Sequence, residues 1–245
     1  LNDVKTNFNV CDDAEITLEL NPDNADFNYL TELLKIGINR LSIGTQSFSD
    51  VELSYLGRTH NAEQSYNAVK IAQKAGFKNI SVDIIFGLPQ EVAVNAKYNL
   101  DKLLSLNIQH VSAYSLTLEE KTIFEHLVNK NKISPPNDEI AANQFEFYMK
   151  ELSANGFIHY EISNYALQGF ESKHNRSYWQ NVPYLGLGPA AHSFNLKSRF
   201  SNSNVVSTYI TELFNNKLCF EEEVLSSNDS FNDYVLTSIR TKEGV

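Results

Sequence analysis

Lys74-Ala75-Gly76-Phe77, leading into Ile80-Ser81-Val82-Asp83-Ile84-Ile85, is the stretch that decides the fold. A helical pattern ends at a glycine, an apolar residue follows, and an apolar strand begins. The same punctuation recurs at Lys35-Ile36-Gly37-Ile38 before residues 40–43, at Ser105-Leu106-Asn107-Ile108 before residues 111–114, and at Ala154-Asn155-Gly156-Phe157 before residues 159–162. Glycine and asparagine tolerate the left-handed conformation that closes a helix, which accounts for the shared signal. The intervening segments carry helical periodicity. Residues 26–36 place Phe27, Leu30, Leu33 and Leu34 on one face, residues 62–75 do so with Tyr66, Val69 and Ala72, and residues 140–152 repeat the pattern.

Helices alternating with short apolar strands predict parallel pairing through right-handed crossovers. With residues 15–20 as an earlier strand, about five strand–helix units result. The fold class is therefore α/β, a partial TIM-like barrel over residues 1–166, followed by a small α+β region over residues 167–245. In such folds chemistry sits at the carboxyl ends of the strands. The polar residues there are Glu19, Gln46, Asp83, Ser115 and Thr117. Asp83 stands inside an otherwise apolar strand and needs a partner, because an unpaired buried carboxylate is costly. The plain structural alternative has Asp83 capping a neighbouring loop and Glu19 pairing with Arg40 or Arg58.

Composition narrows the classes. A chain that is 42% hydrophobic and 20% charged is ordinary for a globular protein, so disorder is not expected. Thirty acidic residues against 20 basic ones give a net charge of −10, which repels nucleic-acid backbones. No apolar run is long enough to cross a bilayer, and residues 1–6 carry no apolar core of a signal peptide. A cytoplasmic protein is expected, and the absence of an initiating Met suggests a fragment. Cys11 and Cys219 are the two cysteines, expected to be buried thiols rather than a disulfide, with no spacing suited to zinc.

Four strings carry a family resemblance. Glu15-Ile16-Thr17-Leu18-Glu19-Leu20-Asn21-Pro22 resembles the E-x-x-P strand end of radical-SAM proteins of the oxygen-independent coproporphyrinogen III oxidase group. Residues 39–48, Asn-Arg-Leu-Ser-Ile-Gly-Thr-Gln-Ser-Phe, resemble its N-R-L-S-x-G-x-Q-x-F strand. Leu56-Gly57-Arg58 fits the arginine that follows, and Asp83-Ile84-Ile85-Phe86-Gly87-Leu88-Pro89 fits D-[LI]-I-x-G-L-P. The resemblance implies an S-adenosylmethionine (SAM) pocket lined by Glu19, Gln46, Arg58, Asp83, Ile85 and Thr117. Arginine suits the methionyl carboxylate, Gln46 and Asp83 the ribose hydroxyls, and Ile85 and Thr117 the adenine edge. The family also binds a [4Fe–4S] cluster through a CxxxCxxC loop, which needs thiolates this sequence lacks. No metal ligands and no catalytic residues are therefore assigned, and no cluster is expected on this chain. The last residues, Ile239 to Val245, resemble the opening of the family's final domain.

Residues 174–194 bear on the branch. His174-Asn175-Arg176-Ser177-Tyr178-Trp179 and Gly186-Leu187-Gly188-Pro189-Ala190-Ala191-His192 resemble the H-N-x-x-Y-W and G-x-G-x-x-A-H signatures of the haem-chaperone branch, HemW. The resemblance implies haem as ligand, held by His174 or His192 with Tyr178 and Trp179 stacking on the macrocycle. A haem-accepting protein and a reductant protein would be its partners. The alternative is the oxidase itself, which decarboxylates coproporphyrinogen III. A third reading is a partial barrel for another small molecule, with Trp179 a core anchor and Asn175 a helix cap. His60, His110, His126 and His159 are expected to be structural.

Overall fold

The four predicted junctions close in the left-handed region. Gly37, Gly76, Asn107 and Gly156 have φ of 105°, 113°, 50° and 87°. Gly37 and Gly76 cap their helices directly, while Asn107 and Gly156 lie in the turns that follow theirs and lead into the next strand. This computed structural model describes all 245 residues and divides into two units, Leu1–Glu171 and Ser172–Val245.

The first unit runs α1 (Asn2–Asn7), β1 (Thr17–Leu20), α2 (Phe27–Ile36), β2 (Arg40–Gln46), α3 (Asp50–Tyr55), α4 (Ala62–Ala75), β3 (Ile80–Phe86), α5 (Ala96–Leu104), β4 (His110–Ser115), α6 (Ile123–Asn129), α7 (Asp138–Ala154), β5 (Ile158–Glu161) and β6 (Asn164–Ala166). Helix starts follow their caps. Asp26 accepts from the N–H of Tyr29, and Asn61 and Gln64 form a reciprocal capping box. Strands β1 to β4 pair in parallel in sequence order, as alternation predicts.

The fifth unit departs from the expectation. β5 does not join β4 in parallel; β6 intervenes, antiparallel to both. Ile162 and Ser163 make a tight turn, and Glu161 accepts hydrogen bonds from Asn164 and the N–H of Ser163. Local turn chemistry thus completes a hairpin before a crossover can form. The six-stranded sheet remains open, with β1 and β5 as its edges.

One face of the sheet is the core. Leu41 and Ile43 of β2, Ile80, Val82 and Ile84 of β3, and Val111 of β4 pack against Leu30, Val69, Ala72, Leu100 and Leu103 of the helices. Each such side chain contributes about 1.5–3 kcal/mol on burial. The opposite face carries Ser42, Ser81, Asp83, His110 and Ser112. The third strand is therefore not apolar on both sides, and Asp83 shares its face with other polar residues.

The second unit is α+β: α8 (Lys173–Trp179), an antiparallel sheet of β7 (His192–Phe194), β8 (Ser198–Asn202) and β9 (Phe220–Val224), with α9 (Val206–Phe214) and α10 (Ser227–Ser238). Tyr184 bridges Phe194 through two backbone hydrogen bonds of 3.0 and 2.9 Å, so the segment before β7 runs beside it. A Cβ at Gly186 would lie 2.0 Å from the His192 carbonyl oxygen. This glycine is required by close backbone approach, and Gly188, with φ 109°, by the turn that follows. Cys11 is exposed, which corrects the expectation of two buried thiols; the Cys219 thiol is partly covered, and both are free. No helix is long and apolar enough to cross a membrane.

Candidate functional site

The polar face of the parallel sheet builds the site. Register places Glu19 beside Ser42, Ser42 beside Ser81, Asp83 beside Ser112 and Ile85 beside Tyr114. Asp83 accepts from the Ser42 hydroxyl at 3.2 Å. Burial pushes its carboxyl up to about 6, against the lowering influence of Ser112, Ser42 and Arg40, while Glu19 adds to the rise. Asp83 therefore caps no loop; Ser42 and Ser112 are its partners.

Below Asp83 lies a buried chain of groups. Ser81 Oγ is 2.7 Å from His110 Nδ1, and His110 Nε2 is 2.8 Å from the Tyr160 hydroxyl. His110 is fully buried, and desolvation followed by the Arg40 charge holds it well below the usual histidine range. Arg40 is only 4% exposed and lies 3.9 Å from Glu15 rather than paired with Glu19. Glu19 itself is exposed at the strand end.

At the carboxyl end of β2 the register shifts between Ile43 and Gln46, and Gln46 takes a left-handed φ of 65°. Gly44 follows Ser42 on the same face. A Cβ at Gly44 would meet Gln46 Nε2 at 3.0 Å, Arg58 Nη2 at 3.4 Å and Asn21 Oδ1 at 3.9 Å. Gln46 and Arg58 thus converge over Gly44, beside the face that carries Asp83. The turn ending α3 delivers Arg58, whose N–H donates to Leu53 O at 2.9 Å. Its Nη2 reaches Gly44 O at a long 3.5 Å, and its Nε is buried without a hydrogen-bond partner. Ile85 is partly covered on the Asp83 face. Thr117 is exposed in the loop after β4, where its hydroxyl donates to Glu119 at 3.3 Å.

Sequence reasoning missed Asn21, Ser42, Ser112 and Glu52. The alternation Arg40, Ser42, Gly44 in one strand and Ser81, Asp83 in the next was the available signal. Among the histidines expected to be structural, His60 is buried and bonds Thr45 O at 3.0 Å.

In the second unit His174 is exposed on the first turn of α8 and packs edge-on against Tyr178, 4.8 Å between centroids. Tyr178 continues to Tyr184 at 4.6 Å, and Tyr184 to Phe194 at 6.2 Å. Trp179 is half-buried. Ser172, not Asn175, caps α8, accepting from the N–H of Asn175 at 3.2 Å. His192 lies on β7, exposed, at a groove shared with Ser201 and Glu221. The two histidines are thus presented by different elements.

Residues 4–94 match the model of the Radical SAM superfamily. The chain is 36% identical over 231 residues to "Heme chaperone HemW" of Lactococcus lactis subsp. lactis (strain IL1403), covering 94% of this chain and 61% of that protein. It is 39% identical over 197 residues to the protein of the same description from Bacillus subtilis (strain 168), covering 80% and 52% respectively. The chain thus spans about half to three-fifths of the length of these relatives. The fold resembles that of the radical-SAM coproporphyrinogen III oxidase HemN of Escherichia coli, with a TM-score of 0.78 at 20% identity over 97% of this chain and 58% of that one. With the ordered motifs on the strand ends, these matches make the chain a member of the radical-SAM family, similar in sequence to HemW proteins.

Proposed function

We propose that the cleft at the carboxyl ends of β1 to β4 binds S-adenosylmethionine, within a protein of the haem-chaperone type. The observation that carries the pocket is Arg58. A guanidinium nitrogen buried without a partner, beside Gly44, Gln46 and Asn21, is a cradle for an anionic group. It fits the methionyl carboxylate, which a guanidinium binds through paired charge-assisted hydrogen bonds. Gln46 and Asp83 would hold ribose hydroxyls, Asp83 as acceptor above its titration point near 6. Ile85 and Thr117 would meet the adenine edge, and Glu19 the rim. The radical-SAM family implies a [4Fe–4S] cluster as well. Two cysteines, one in each unit, cannot supply three thiolates, so the residues here do not fit it.

Arg58→Ala should weaken SAM binding to this chain by about 10- to 100-fold, or about 1.4–2.7 kcal/mol, by titration calorimetry. Unchanged affinity in a folded variant would remove the assignment.

The haem reading rests on the likeness to proteins described as haem chaperones and on the row His174, Tyr178, Tyr184 and Phe194. Imidazole would take the iron, while Tyr178 and Trp179 would supply stacking and apolar burial. Haem is then cargo passed to an accepting protein, with a reductant protein as second partner and the cytoplasm as location. His174→Ala should weaken haem binding about tenfold and shift the Soret band. If binding and spectrum persist, His192 becomes the ligand to test. If neither histidine matters and the full-length protein turns over coproporphyrinogen III, the oxidase reading replaces this one.

A further inference from the structure

We propose that Glu52, outside the cleft, is a positioning residue that holds Gln46 in its left-handed, cleft-facing conformation. The inference rests on the SAM reading for its ligand readout, and on the fold alone for the rest. Gln46 carries a positive φ without being glycine or asparagine, a conformation that costs energy and persists only when its surroundings fix it. The residues after it are fixed in an unusual way. Ser47, fully buried, donates its hydroxyl to Glu52 Oε2, and the same hydroxyl oxygen accepts from the N–H of Ser49 at 2.9 Å. The N–H of Phe48 donates to Asn99 Oδ1 at 2.9 Å, and Asn99 Nδ2 donates to Glu52 Oε2 at 2.8 Å. The other oxygen, Oε1, accepts from the N–H of Val94 at 2.7 Å.

Glu52 is 3% exposed, so these contacts are made away from water. Each group bonded to its two oxygens is a donor: a hydroxyl, a side-chain amide and a backbone N–H. That pattern suits a carboxylate, which accepts at both oxygens and donates at neither. One side chain thereby ties together the loop after β2, the loop after β3 and helix α5. Gln46 ends the strand that leads into the first of these loops; the second follows the strand of Asp83. A glutamine at position 52 has the same shape but must turn an NH2 toward Val94 N–H or toward Asn99 and Ser47. At least one donor would then face another donor in a buried site, a mismatch that lets the loop move.

Three variants of the 245-residue chain test this: Gln46→Ala, Glu52→Gln and the double variant, each checked by circular dichroism. Without ligand, amide exchange of residues 45–49 should quicken at least about tenfold in Glu52→Gln. With SAM as probe, Glu52→Gln and Gln46→Ala should each weaken binding about tenfold, and the double variant no further, because both remove one interaction. Unchanged exchange at 45–49 overturns the proposal. So does full affinity in folded Glu52→Gln, or a loss that simply adds to that of Gln46→Ala. If Gln46→Ala binds SAM as well as the parent while loop exchange still quickens, the cofactor reading fails and the positioning role stands. Should Glu52→Gln not fold, Ser47→Ala removes one donor alone and is read in the same cycle.

Discussion

The Gly186→Ala variant is expected to lose the folded second unit, with a destabilisation of about 3 kcal/mol or more. A Cβ at this position would sit 2.0 Å from the His192 carbonyl oxygen, 2.8 Å from its carbon and 2.9 Å from its nitrogen. These are backbone atoms of β7, so no side chain can swing away to relieve the clash. The neighbouring hydrogen bonds oppose separation: Tyr184 and Phe194 exchange two, and Gly186 N donates to Ser193 Oγ at 2.9 Å. Relief therefore requires breaking the pairing that seats Tyr184 against Tyr178 and Phe194. Trp179, the one tryptophan of the chain, lies in this unit, so its fluorescence in urea reports on this unit rather than on the sheet of the first. Leu187→Ala, at a side chain 69% exposed, should stay within about 0.5 kcal/mol and serves as the control. A parental midpoint for Gly186→Ala would refute the close approach.

Asp83→Asn is expected to stabilise the first unit at neutral pH by about 2 kcal/mol, and by almost nothing near pH 4. The carboxyl titrates at about 6 in the folded chain, above its ordinary value of 3.8, chiefly because burial penalises the charge. Between these values the folded state holds a proton that the unfolded state has released, so stability falls as pH rises. The full cost is present above about 6 and absent below about 4; the two-unit gap corresponds to about 3 kcal/mol. Asparagine removes the titration but keeps an acceptor for Ser42 and Ser112. It also leaves Arg40, 4% exposed, without this nearby negative charge, which trims the gain. Thermal unfolding followed by circular dichroism at several pH values checks the claim. The advantage of the variant must grow with pH; a constant difference would show that the carboxyl is not desolvated.

Several features of this protein are local and were legible in its residues. The helix-to-strand turns are an example: Gly37, Gly76, Asn107 and Gly156 each take a left-handed φ just after a helix, because few other residues enter that region cheaply. The strand–helix alternation then dictates a parallel sheet, and the ordered strings around Glu19, Gln46, Arg58 and Asp83 identify the family. Where the sequence was silent, the cause was non-local. Nothing in residues 158–166 specified that β6 would pair antiparallel with β4, since strand partners are chosen by the sheet as a whole. The polar partners of Asp83 come from Ser42 and Ser112, 41 residues before and 29 after it, and only register makes them neighbours. Glu52 reads as an ordinary residue of a short helix, yet chain packing surrounds it with donors from three segments. The sequence by itself determined the strand–helix alternation of the first unit and the family. The tertiary structure alone decided which side chains share a face and which charges are taken out of water, because burial and hydrogen bonding depend on distances in space rather than along the chain.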